Sequence, residues 1–149
     1  MLPGPVFAST ARGRLAGHRR AMAEAAVAVD EGLVRPSGFG YDAGEAEGRA
    51  LLAGHPDTTA VFAANDDLAL GVMSAARGLG RSVPDDLSVV GYNDTPVATA
   101  LPVPLTSVRV PFPEVATQAL RLLASDAEGP SRAVAVPTLI PRESSRSLA

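Results

Sequence analysis

The sequence has no cysteine and only two histidines, His18 and His55. The first absence excludes disulfides, thiolate catalysis and cysteine-ligated zinc. The second leaves little from which to build another transition-metal site, so neither a metal nor another cofactor is expected. Long apolar runs are also missing. Nothing approaches the roughly 20 residues that cross a bilayer, and Met1 is followed by Leu-Pro-Gly-Pro rather than by a basic stretch and an apolar one. No membrane partner is expected, and the chain reads as soluble and cytoplasmic. Lysine is absent, all thirteen basic residues being arginine, and the acids that bring the net charge to −3 are scattered. Such a chain has no electrostatic footprint for wrapping nucleic acid. Enzyme signatures are scarce as well: there is no Gly-x-Ser-x-Gly elbow, no Gly-x-x-x-x-Gly-Lys phosphate loop and no His-Glu-x-x-His. The paired acids Asp66-Asp67 and Asp85-Asp86 read as caps, and the chain is not read as an enzyme.

What is present suits one compact α/β domain. A chain of 149 residues, 46% hydrophobic and 19% charged, can bury a sizeable core. Ser9 or Thr10 can cap a helix running to about Val29, with Ala11, Leu15, Met22, Ala26 and Val29 at helical spacing. A short apolar piece, Leu33-Val34, leads to an irregular link from Arg35 to Tyr41, where Pro36, Gly38 and Gly40 oppose regular structure. Asp42 and Glu45 form a capping-box-like start to a second helix that ends at Gly54.

The apolar run Ala60 to Ala64 is a buried strand. Asp66 or Asn65 then caps a helix from Asp67 to Leu79, which Gly80 closes in a left-handed conformation. Leu87 to Val90 is a second buried strand. Two such strands joined by a helix make a right-handed crossover unit of a parallel sheet. Pro96, Pro102 and Pro104 mark the link from Thr95 to Pro104 as a crossover or hinge. A short strand at Thr106 to Arg109 and a helix from near Pro111 through Leu123 follow. A polar loop is expected at 125–131, strand pieces at Ala133 to Val136 and Thr138 to Ile140, and a polar tail from Arg142.

In a parallel sheet, ligands bind outside the carboxyl ends of the strands. Asn65 and Asn93 each fall just after such an end, and an amide offers donors and an acceptor that suit sugar hydroxyls or a purine edge. Asp66 and Asp94 beside them can cap a helix or a turn. Arg14 has the donor fork to reach a ligand, but the residues alone do not separate it from Arg12, Arg19 and Arg20. Phe39 and Phe112 are either stacking platforms or plugs at the edge of the core.

Three strings carry a resemblance: Ala64-Asn-Asp-Asp-Leu-Ala-Leu-Gly71, Val83-Pro-Asp-Asp-Leu-Ser-Val-Val-Gly-Tyr-Asn-Asp94 and Pro104-Leu-Thr-Ser-Val108. With Ser9 to Gly17 and Pro141 to Ser145, they resemble the LacI/GalR family of transcription regulators in order along nearly the whole chain. The fold this implies is a three-layer parallel-sheet lobe of a type I periplasmic-binding-protein-like domain, truncated. Residues 1–149 would be the C-terminal lobe of the sensor, with about 105–125 crossing to an N-terminal lobe and no helix-turn-helix present. Carried over by position, effector contacts fall on Arg14, Phe39, Asn65, Asn93 and Phe112, and dimer contacts on Leu70 and Leu101. Asn93 departs from the family pattern, which often has aspartate there, and this bears on the ligand's identity. The implied partners are a sugar or nucleoside-like effector, a second copy of the chain, and operator DNA through the absent N-terminal domain. A solute-binding protein of a transporter is the alternative.

Overall fold

The computed structural model describes residues 1–125, 129 and 131–147. The residues 126–128 and 130 of the expected polar loop lie outside them. Helix α1 spans Ser9–Glu24, α2 Tyr41–Gly54, α3 Asp66–Gly78, α4 Val97–Ala100 and α5 Phe112–Leu123, and the strands are β1 Ala60–Phe62, β2 Ser88–Asn93, β3 Thr106–Arg109 and β4 Thr138–Ile140. The sheet order is β1-β2-β3-β4. The first three strands are parallel and β4 returns antiparallel. Leu2 adds a parallel bridge to Ala63 beyond β1. The strand-helix-strand unit expected from Ala60 onward is therefore present, with its carboxyl ends at Asn65 and Asn93.

Alternation along the strands assigns the two faces. Val61, Ala63, Val89 and Gly91 point toward α2 and α3, where they join Leu51, Leu52, Leu68, Ala69 and Val72 in the buried core. Glycine brings these two helices together. A Cβ on Gly71 would collide with Tyr41 O and Glu45 N, and one on Gly44 with Leu68 O. The opposite face, with Phe62, Val90 and Tyr92, lies under α1 across an open space of about 710 Å3.

Several expectations are corrected. Helix α1 is capped by Ala8, not by Ser9 or Thr10, and it stops at Glu24 rather than near Val29. Its end is a left-handed cap, with Ala26 at φ 55 and bonds Ala26 N to Ala23 O and Val27 N to Met22 O. Ala26 therefore ends the apolar stripe rather than extending it. The capping box on α2 does not form either: Gly40 is the N-cap, and Glu45 pairs with Arg49 at 3.6 Å. The link from Arg35 is irregular as expected, but it is tied to the chain's start: Met1 N donates to Leu33 O, Arg35 N to Met1 O and Ser37 N to Gly4 O. Ala133 to Val136 is not a strand. The antiparallel pairing places Thr138 opposite Arg109, the last residue of β3, so the segment before Thr138 has passed the end of its partner.

The tail from Arg142 is polar but not free. Ser144 is fully buried, with Oγ accepting from Thr106 N and donating to Val89 O, while its own N and O bond Pro104 O and Val89 N. It fastens β2 to β3 from below.

Candidate functional site

Each parallel strand ends at the same edge of the sheet, and that edge holds some of the predicted residues. Asn65 is the N-cap of α3: its Oδ1 accepts from Leu68 N at 2.8 Å, and its Nδ2 donates to Phe39 O at 2.8 Å. One amide thus ties the helix start to the glycine-rich link. The Phe39 ring packs against the core and fills the space where Gly4, at φ 84, would carry a side chain. Arg14 reaches across from α1. Its Nη1 donates to Ala64 O at 2.8 Å, and its guanidinium lies 3.9 Å from the centre of the Tyr92 ring. Those contacts separate Arg14 from Arg19 and Arg20, which pair with Glu31 and Glu24 at the surface.

Asn93 ends β2 at φ 107, and Asp94 follows at φ 55. Two consecutive non-glycine residues with positive φ are a strained arrangement that persists only where the surroundings hold it, at about 1–3 kcal/mol each. The side chain of the second residue is held by charge. The Asp94 side chain is almost fully buried, with Arg109 Nε at 2.6 Å from one carboxylate oxygen and Arg142 Nη2 at 2.6 Å from the other. Burial pushes the Asp94 carboxyl up, but the hydrogen bonds and charges of Arg142 and Arg109 outweigh it and hold the group below its ordinary 3.8.

Beneath this turn lies Asp66, 1% exposed. Its Oδ1 accepts from Ser107 Oγ at 2.6 Å, and its Oδ2 from Thr95 N at 2.7 Å and Thr95 Oγ1 at 2.8 Å. Ser107 Oγ in turn accepts from Asp94 N at 3.1 Å. Arg14, Phe39, Asn65 and Asn93 are therefore gathered at one edge. Phe112 stands apart at the start of α5, 55% exposed. Sequence reasoning missed Tyr92, Ser107, Arg109 and Arg142. Only Tyr92 had a local signal, as the residue before Asn93 on a strand.

Leu70 and Leu101 meet elsewhere. Both line a cleft of about 430 Å3, together with Tyr41, Met73, Val83 and Val103, between α3 and the link after α4. Among the described residues no group of acids and histidines could hold a metal ion, and no helix is long and apolar enough to cross a membrane.

The arrangement places two amides and a guanidinium at the ends of parallel strands, where hydrogen-bond donors and acceptors converge. A family profile for the periplasmic binding protein-like domain matches residues 2–145, and the chain belongs to that family. Its homologues are LacI-family HTH-type transcriptional regulators. The regulator CelR of Thermobifida fusca is 42% identical over 135 residues, covering 88% of this chain and 40% of CelR. DegA of Bacillus subtilis (strain 168) is 37% identical over 141 residues, covering 92% of this chain and 42% of DegA. A solved CelR–cellobiose complex matches with a TM-score of 0.92 at 39% identity, over 96% of this chain and 45% of that one. The lac repressor dimer bound to operator and the anti-inducer ONPF matches with a TM-score of 0.85 at 29% identity, over 96% and 44%. The chain thus spans less than half the length of these relatives.

Proposed function

We propose that this chain is the ligand-sensing and dimer-forming part of a LacI-type transcription regulator, which takes a small effector between two lobes and thereby alters its affinity for operator DNA. The observation that carries this reading is the convergence of Arg14, Asn65 and Asn93 at the carboxyl ends of β1 and β2. Neutral amides beside a guanidinium present donors and acceptors to hydroxyls, which suits a sugar or a related metabolite. The cellobiose in the CelR complex supports a disaccharide as the first probe.

In this reading the described residues form mainly the C-terminal lobe, and about 105–125 crosses to an N-terminal one. Helix α5 supports the crossing: it buries no residue and leaves Phe112, Val115, Leu120 and Leu123 exposed. Phe112 would then meet the effector from the lobe junction. A second copy covers the apolar cleft of Leu70 and Leu101. DNA is read by an N-terminal helix-turn-helix domain outside these residues, in the cytoplasm. An effector that contacts both lobes favours one lobe arrangement by its differential affinity, and that shift changes the DNA-binding population.

The test is calorimetry on the intact regulator with cellobiose, other sugars and nucleosides. Arg14→Ala and Asn93→Gly are each expected to weaken effector binding about tenfold, the effect of losing one or two polar contacts. Affinity unchanged in both would sink the site assignment.

A further inference from the structure

Asn65 and Asn93 have a ready place in the ligand wall, but the buried carboxylate between them does not. Asp66 is nearly solvent-free, yet its neighbour Asn65, not Asp66, caps α3. Its three acceptor bonds leave its own element altogether: one runs to Ser107 on β3 and two to Thr95 after β2. Burying a carboxylate is costly unless its lone pairs are met, and here they are met by groups on either side of the Asn93-Asp94 turn.

We infer that Asp66 is a positioning residue for the effector wall, holding Asn93 and Asp94 in their left-handed conformation and so aiming the Asn93 side chain. This rests on the reading of these strand ends as an effector wall. Two bonded paths lead from the carboxylate to Asp94, the second residue of the strained pair, and to Thr95 just after it. Asp94 N donates to Ser107 Oγ, whose own hydrogen is directed to Asp66 Oδ1, while Thr95 is bound twice to Oδ2. The turn is thereby fixed by its backbone on both sides of the Asp94 Cα, and the ion pairs to Arg109 and Arg142 fix only the side chain. Gly91 keeps the path open, since a Cβ there would lie 2.5 Å from Asp66 Oδ1. A left-handed residue at Asn93 turns its side chain away from the direction that strand alternation would give it. The ligand contact at that position is therefore set by Asp66, which itself lies below the wall.

The experiment uses the intact protein with Asp66→Asn, Ser107→Ala and Thr95→Val. It reads two signals: the carbon shifts and amide couplings of Asn93 and Asp94 by NMR without ligand, and calorimetric affinity for cellobiose. Asp66→Asn and Ser107→Ala are expected to shift Asn93 and Asp94 out of the positive-φ signature. They should also weaken cellobiose binding about tenfold, as loss of a buried hydrogen bond to a charged group would, while amide exchange at Leu68 and Val72 stays unchanged. Adding Asn93→Gly to either variant should cost nothing more, because the aimed side chain is already misplaced. Retention of the signature in both variants overturns the inference, as does additivity with Asn93→Gly. If Asp66→Asn fails to fold, Ser107→Ala and Thr95→Val carry the same two readouts. If the unaltered protein binds no effector, the reading of the wall fails, whereas the NMR signature still decides whether Asp66 sets the turn.

Discussion

On one face of the sheet, α2 and α3 approach so closely that Gly71 has no room for a methyl group, and Leu68, Ala69, Val72 and Ala76 are fully buried beneath them. On the other face, α1 buries only Ala11, and both Gly13 and Gly17 have nothing within 4 Å of a Cβ position. The same residue type serves opposite ends in the two places. Between α2 and α3, glycine is the means of close packing; in α1 it borders the open space above Phe62, Val90 and Tyr92. The contrast locates the rigidity of the strand ends. Asn65 and Asp66 begin α3, and Gly91 lies against Asp66, so these strand ends grow out of the tightly packed face, while Arg14 reaches them from the loose one.

The largest effect expected from this contrast is at the helix crossing. Gly71→Val would drive two methyl groups into the backbone of α2 at Tyr41, Gly44 and Glu45, where neither partner is a flexible side chain. The cost should be about 3 kcal/mol or more, at the upper end for overpacking. Urea denaturation measures it, and a loss under about 1 kcal/mol would mean that α2 can move away and that the two faces are alike.

The tight face was also the legible one. Ala60 to Ala64, the Asn65 cluster, the α3 stripe and Gly80 are all local signals, and each maps onto the structure within a residue or two. Pattern reading failed where the answer depends on distant partners. Ser107 and Thr95 lie 41 and 29 residues from Asp66, and nothing near Asp66 indicates that its carboxylate is spoken for by either. The tail from Arg142 reads as solvated because it is polar, yet Ser144 exchanges its polarity for four bonds at the base of β2 and β3. The end of α1 failed differently: alanine is a good helix former, and no local rule places Ala26 in a left-handed cap. The candidate residues divide in the same way. Asn65 and Asn93 could be proposed from strand ends alone, while Arg14 needed the family resemblance to stand out from its neighbours.

A second, intermediate effect concerns the charged pairs on the Asp94 side chain. The Asp94 carboxyl is held below its ordinary value when folded, so the folded state binds fewer protons than the unfolded one across that range. Its contribution to stability is full above the unfolded value near 3.8 and is lost as the pH falls through the folded value. Denaturation midpoints should therefore decline on acidification below about pH 5, and decline less steeply in Asp94→Asn. At neutral pH that variant should already be weaker, because Arg142, with only 13% of its side chain exposed, loses its counter-charge. Parallel acid profiles for the two proteins would show that the Arg109 and Arg142 pairs to the Asp94 side chain add nothing to stability.

The smallest effects test the loose face, where two opposite substitutions should both stabilise. Gly13 sits inside α1 with open space around its Cβ position, so Gly13→Ala removes backbone freedom from the unfolded chain without a clash and should gain about 0.5–1 kcal/mol. Ala26 sits just past the same helix at φ 55, where a Cβ meets the neighbouring carbonyl, so Ala26→Gly should relieve about 1 kcal/mol of strain. The sign of each follows from backbone geometry alone, since neither position belongs to the buried core. If α1 is as weakly joined to the sheet as its exposure indicates, the gains will appear mainly as slower amide exchange within α1, and less in the global midpoint. Equal gains in both would mean that α1 unfolds together with α2 and α3, and the two faces would then be one cooperative unit.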